Sequence, residues 1–403
     1  MDRVVQVGEA LERLAKAAAT MGRPVRFMEV CGTHTMAAFR SGLHSLLPGN
    51  VTLLSGPGCP VCVTAQGDID LLIELAGAKD VTICTYGDMM RVPGAAGSLE
   101  KARSEGADVK VIYSTLDAVA WAKKLPARQV VLGAVGFETT APATAAAVLE
   151  ARRAGVKNFS ALTSHKRVVP AMLALLADEG GDAGSECASS DHAQRGPCPT
   201  GHATRGIAID GFLCPGHVSV VVGWEVYRPI VTQYQMPCVI AGFEEPHMAL
   251  ALAVICEMVA VGKAELANAY PEAVSPLGNM TAQKLLEQVF ESGDVRWRAL
   301  GTIAGSGMIL RAEFAEFDAM KRFGLKTPED REIPGCICGK VICGKATPAE
   351  CGLFGNGCSP VHPIGPCMVS SEGTCAAWFK YGRTKAQRHK GTEAQRVPVG
   401  GRV

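Results

Sequence analysis

The chain has 403 residues, 48% of them hydrophobic and 20% charged, with a formal net charge of +1. That length and apolar content can bury real cores and favour two or three domains over one. A balance this close to neutral offers no surface to steer nucleic acid or an anionic membrane, so neither is expected as a partner.

Residues 1–22 place Val7, Leu11, Leu14 and Ala18 at the period of an amphipathic helix. The segment lacks the apolar stretch and small-residue cleavage site of a secretory signal. The longest apolar run, 248–262, contains Glu257 and is too short to span a bilayer. The expected location is the cytoplasm.

From residue 23 onward apolar runs alternate with helical patterns. Strand-like runs at 25–30, 51–55, 81–86 and 109–113 are each followed by a turn and a helical stretch. The same plan returns from residue 129. There Val130-Val131-Leu132-Gly133-Ala134-Val135 leads into Gly136-Phe137-Glu138 and Pro142, which is placed to open a helix. Cys238-Val239-Ile240-Ala241 leads likewise into Gly242-Phe243-Glu244 and Pro246. Strands alternating with helices predict parallel α/β sheets, and ligands then gather at the strand ends. The expected architecture is α/β: two related parallel-sheet lobes over 23–128 and 129–262, then a cysteine-rich C-terminal segment within 263–382. The N-terminal helix is expected to pack with that last segment. Residues 180–206, rich in Gly, Ser, Asp and His, read as a flexible insertion; their Cys187, His192, Cys198 and His202 match no standard zinc module. Residues 383–403 read as a polar, disordered tail.

Sixteen cysteines need an explanation. Disulfides do not persist in a reducing cytosol, so clustered cysteines there point to metal binding or redox chemistry. Cys84, Cys238 and Cys256 sit inside apolar runs and read as small buried hydrophobes. Seven others, Cys336, Cys338, Cys343, Cys351, Cys358, Cys367 and Cys375, fall among glycines and prolines. Four converging thiolates suit either zinc or an iron–sulfur cluster. Zinc ribbons usually bring two Cys-x-x-Cys knuckles, and this segment has none, so the spacing leans towards a cluster. Cys59-Pro60-Val61-Cys62 is a separate pair, after a strand and at the start of a helix, where a thiol is activated for reversible disulfide formation. Cys31 and His34 stand at a neighbouring strand end and could add ligands; a histidine there is more often structural.

Several of these motifs resemble a known family. Cys31-Gly32-Thr33-His34-Thr35, Gly56-Pro57-Gly58-Cys59-Pro60-Val61-Cys62, Tyr86-Gly87-Asp88-Met89-Met90-Arg91-Val92-Pro93-Gly94 and Gly136-Phe137-Glu138-Thr139-Thr140 resemble the signatures of HypD, the maturation factors of nickel–iron hydrogenases. Pro215-Gly216-His217-Val218-Ser219 and Met368-Val369-Ser370-Ser371-Glu372-Gly373 extend the resemblance, which covers about Arg23 to Tyr381. It implies a Cys-x12-Cys-x6-Cys-x16-Cys ligand pattern, falling on Cys338, Cys351, Cys358 and Cys375, and hence a 4Fe–4S cluster rather than zinc. Cys336, Cys343 and Cys367 lie outside that pattern.

The resemblance further implies an assembly scaffold with redox activity, rather than a conventional turnover enzyme. Such a protein builds the iron centre bearing two cyanides and one carbon monoxide, with a HypC-type chaperone and a HypE-type cyanide donor. Cys31 would hold that iron transiently, and Cys59 with Cys62 would be the redox dithiol. Glu372 would carry protons or line the site, a solvated loop carboxylate being nearly as good a reading. His34 and His217 would have lesser roles, and Asp88 and Glu138 would shape the cleft. The alternatives are an iron–sulfur thiol–disulfide oxidoreductase and a structural zinc protein.

Overall fold

The computed structural model describes residues 3–177, 207–331 and 333–382. The insertion at 180–206 and the tail at 383–403 lie outside the described residues. Among the described residues, no helix is long and apolar enough to cross a membrane.

The strands are β1 (Val25–Glu29), β2 (Val51–Ser55), β3 (Val81–Thr85), β4 (Asp108–Val111), β5 (Gln129–Gly136), β6 (Phe159–His165), β7 (Gly211–Pro215), β8 (Cys238–Ala241), β9 (Leu266–Asn268), β10 (Phe290–Trp297) and β11 (Gly301–Leu310). They form two parallel sheets of order β2-β1-β7-β8-β9 and β4-β3-β5-β6, plus the antiparallel hairpin β10-β11. Strands such as β3, β7 and β8 are buried along their whole length, as parallel strands covered on both faces must be.

The expected two-lobe α/β architecture is present, but the lobes are not consecutive halves of the chain. After β2 the chain leaves the first sheet, builds the whole of the second, and returns at β7 to pair with β1, setting Phe27 beside Gly211. The division expected at 128/129 therefore does not follow the sheets. The one expected at 262/263 comes too early, because β9 completes the first sheet. The physical reason is that strand–helix alternation looks identical in both sheets and carries no information on which strand pairs with which.

The order in each sheet reverses once, between β1 and β7 in the first and between β3 and β5 in the second. The crevice outside such a reversal is where open parallel sheets bind ligands. Of the singled-out motifs, Cys31-Gly32-Thr33-His34 follows β1 and Pro215-Gly216-His217 closes β7. Tyr86-Gly87-Asp88 follows β3, and Gly136-Phe137-Glu138 closes β5. The Gly-Phe-Glu echo is not positional: β5 flanks a reversal, whereas β8 stands one strand further out.

Helix α1 (Arg3–Thr20) buries Ala10, Leu14, Ala17 and Ala18 in a core shared with Phe27, Leu213, Met248 and Leu252. Arg13 clamps Glu257 through two hydrogen bonds of 2.8 Å. The helix thus packs on the helix Glu245–Ala260, not on the C-terminal segment as expected. Its small-residue stripe fits the Ala-rich face of that helix, and a stripe alone does not name its partner. The hairpin β10-β11 runs between the sheets: Trp297 bridges to Thr64, and Gly307 to Lys166 at the end of β6.

Candidate functional site at the strand ends

Helix α2 (Gly32–Arg40) begins directly after β1, with Cys31 as its extended N-cap. Helix α3 (Pro60–Val63) begins just beyond β2, with Cys59 as its N-cap and Pro60 at its first position. Because β1 and β2 pair in parallel, their two loops lie side by side, and the Gly32 N–H donates to Gly58 O at 3.1 Å. Cys59 and Cys62 are joined as a disulfide, Cα to Cα 5.2 Å, and the Cys62 N–H points at Cys59 Sγ at 3.3 Å.

The third contributor comes from the far end of the chain. A Cβ on Gly32 would lie 2.6 Å from Glu372 Cβ and 3.3 Å from Cys59 Cβ, so the glycine is what lets the 370–373 loop close over the thiols. Thr33 Oγ1 donates to Glu372 Oε1 at 2.7 Å. The Glu372 N–H donates to Ser370 Oγ at 3.2 Å, and Ser370 Oγ donates to Asp88 Oδ2 at 3.0 Å. A polar chain thus runs from the end of β3 in the second sheet, through the C-terminal loop, to α2 on the first. Asp88 is a tie in that chain, and Glu372 belongs to the site rather than to a solvated loop. Glu138 lies apart from this chain: it accepts the Val168 N–H at 3.0 Å, and burial pushes its carboxyl up to about 7.

Burial governs the charge states. Cys31 is 8% exposed, and its thiol is pushed up to about 12 by burial, with the Glu372 and Glu29 carboxylates adding to the rise. A metal taking this sulfur must therefore displace a proton. His34 Nε2 lies 3.1 Å from Ala241 O and 3.0 Å from Gly242 O; two carbonyl neighbours require that this nitrogen carry the hydrogen. Burial lowers His34 to about 4, so the ring is neutral, and its Nδ1 lone pair is buried without a partner. Phe243 stacks on His217 with ring centroids 3.8 Å apart and lies tilted against His34 at 4.7 Å. His217 is lowered by burial, with Glu372 pulling the other way.

Glu29 belongs to the site, though the motifs did not single it out. It ends β1, is 1% exposed, accepts the Cys31 N–H at 3.0 Å and takes a short hydrogen bond from the Thr35 hydroxyl. Burial pushes its carboxyl up to about 8. The readable signal is one acidic residue closing an apolar strand immediately before the cysteine motif.

The C-terminal segment forms a second centre. One small cavity is walled by Cys336, Cys338, Cys351, Cys358, Cys367 and Cys375 together with Val341, Leu353, Phe354 and Met368. The four cysteines that the resemblance implies all reach it, and so do Cys336 and Cys367, which its pattern left out. A Cβ on Gly365 would lie 2.7 Å from Cys336 Sγ and 3.5 Å from Cys338 Sγ, so that glycine lets both sulfurs close on the cavity. Among the described residues, no three His, Cys, Asp or Glu side chains are grouped to hold a metal ion. A polynuclear cluster takes thiolates from around a cavity wall, and an apolar wall carrying six sulfurs matches that donor chemistry. The short helix Pro366–Val369, which carries Cys367, packs on α3. The two thiol centres are therefore neighbours.

The HypD family model, described as the hydrogenase formation hypA family, matches residues 5–382. A hydrogenase maturation factor HypD of Azotobacter vinelandii is 44% identical over 365 residues, covering 90% of this chain and 91% of the relative. The hydrogenase expression/formation protein HupD of Azotobacter chroococcum mcd 1 is 43% identical, covering 94% of each chain. The HypD of Escherichia coli (strain K12) is 39% identical, covering 96% of this chain and 97% of the relative. With its motifs at the crevices of both sheets and relatives matched along almost its full length, the chain belongs to the HypD family of hydrogenase maturation factors.

Proposed function

We propose that this protein assembles the iron centre bearing two cyanides and one carbon monoxide, working in the cytoplasm with a HypC-type chaperone and a HypE-type cyanide donor. The observation that carries the reading is the meeting of Cys31, the Cys59–Cys62 disulfide and Glu372 at one crevice. The iron is cargo, held through the Cys31 sulfur. Glu372 flanks that thiol and can take the proton it must lose. The reduced Cys59/Cys62 pair gives up two electrons and two protons when its disulfide closes, which is the reducing capacity that ligand transfer onto iron requires. His34 fixes the end of β8 against α2, and Phe243 packs between it and His217.

The thiol-walled cavity fits a 4Fe–4S cluster as resident cofactor, with Cys351, Cys358 and Cys375 as ligands and Cys338 as the fourth. Such a cluster supplies single electrons near the dithiol. A second reading, an iron–sulfur thiol–disulfide oxidoreductase, is favoured by the same disulfide but gives Cys31 no work. Infrared spectra of protein purified without oxygen, with both partners co-produced, separate the two. Cyanide and carbonyl stretching bands that vanish in Cys31→Ala are the expected result. Iron and sulfide without such bands in the unaltered protein would overturn the scaffold reading.

A further inference from the structure

Arg298 sits where the two thiol centres meet, and neither motif nor spacing pointed to it. It follows β10 at the turn of the hairpin, beside Ala299, whose φ of 65° is an unfavourable left-handed backbone for a residue with a Cβ. That turn presses on the cysteine cavity: a Cβ on Gly339, the neighbour of Cys338, would lie 2.7 Å from Ala299 Cβ.

The same residue is fastened to the dithiol helix. Its N–H donates to Val63 O at 2.9 Å and its Nε to Thr64 O at 3.1 Å, the two residues directly after Cys62. Nη1 donates to Gln66 Oε1 at 2.9 Å. Arg298 is 8% exposed, and its remaining nitrogen, Nη2, is buried with no partner. These acceptors are carbonyl and carboxamide oxygens, not carboxylates. A guanidinium is a permanent charge, and a buried one whose hydrogen bonds all end on neutral oxygens projects its field into its surroundings. Asp68 and the buried Lys166 share that field, and the hairpin turn holds the charge against Gly339, the neighbour of Cys338, at the cavity wall.

We infer that Arg298 sets the redox poise of the cysteine cavity, holding a buried positive charge between the dithiol helix and the cavity wall. The inference rests on the reading above that the cavity holds a 4Fe–4S cluster. Reduction adds a negative charge to the cavity, and a nearby cation favours that state; net charge and hydrogen bonding around the sulfurs are what tune such potentials. Arg298 is a positioning residue in this role and touches no cargo.

The test is a potentiometric titration of the full-length protein, anaerobically purified and followed by electron paramagnetic resonance. Iron and sulfide analysis of the unaltered protein comes first, and their absence overturns the cluster reading and this inference with it. Arg298→Gln should weaken the one-electron reduction equilibrium at least tenfold, a fall of about 59 mV in midpoint potential. Arg298→Lys keeps the charge and should hold the original potential. A cluster-loaded Arg298→Gln with an unshifted potential overturns the inference, as does an Arg298→Lys displaced as far as Arg298→Gln. Where Arg298→Gln does not retain iron and sulfide, Gln66→Glu keeps the arginine and sets a carboxylate against Nη1. It must lower the potential, and an unchanged value overturns the inference.

Discussion

Replacing Glu29 by Gln tests the electrostatics of the Cys31 site directly. The Glu29 carboxyl moves from an ordinary value of 4.5 to about 8 on folding because burial penalises its charged form. Below about pH 4.5 folded and unfolded chains both hold the proton, and the fold keeps its full stability. As pH rises towards 8 the unfolded chain ionises freely while the fold still holds the neutral acid, so stability falls. Each unit of difference is worth about 1.4 kcal/mol. Across that window the loss reaches a ceiling of about 5 kcal/mol. Gln matches the neutral acid in shape, accepts the Cys31 N–H, and lets the Thr35 hydroxyl rotate to accept from the amide. Urea unfolding of metal-free protein at pH 5, 6, 7 and 8 is the assay. Glu29→Gln should gain on the unaltered protein by about 3–4 kcal/mol between pH 5 and pH 8. Comparing the two proteins cancels Glu138, which is also raised by burial and titrates in both. Parallel curves would refute a neutral buried Glu29.

Cys59→Ser or Cys62→Ser should abolish hydrogenase maturation while leaving iron and sulfide content unchanged; normal hydrogenase activity in either variant would sink the dithiol assignment. Cys351→Ala should erase the visible absorption of the anaerobically purified protein, and an unaltered spectrum would remove that residue from the ligands. Asp88→Ala deletes the acceptor of the buried Ser370 hydroxyl and should cost about 1 kcal/mol, since Asp88 itself is exposed. Amide hydrogen exchange at Ser371 and Glu372 should quicken, and unchanged protection there would break the proposed tie between the sheets. Leu14→Ala should cost about 2–4 kcal/mol, because the side chain is fully buried against the helix Glu245–Ala260. Its iron content should hold, and a proportionate loss of iron would mean that α1 supports the cavity after all.

Strand positions and the loops that carry Cys31, Cys59 and Cys62 were legible because apolar runs ending in Gly and Pro are local signals. Sheet membership was not, since β1 finds its second neighbour, β7, only after the whole second sheet has been built. Glu372 could be singled out beside Cys375, yet its contact with Thr33 joins residues at opposite ends of the chain. Glu29 was missed because an acidic residue at a strand end usually faces water, and only the packing of β1, β2 and α2 closes over it. Spacing could not separate the seven C-terminal cysteines, and the resemblance chose four; the cavity wall also recruits Cys336 and Cys367 from turns that periodicity does not describe.

The return of the chain to its first sheet makes the molecule divisible in an instructive way. A break between residues 177 and 207 would leave β1 through β6, with Cys31 and the Cys59–Cys62 pair, on one fragment. Glu372, Arg298 and the whole cysteine cavity would sit on the other. Neither piece owns a complete first sheet, and each exposes a bare strand edge where β1 and β7 had paired. Reunion of the fragments would therefore be templated by backbone pairing, and the crevice would come into being only at that moment. Sequence added between them leaves both halves of the crevice intact.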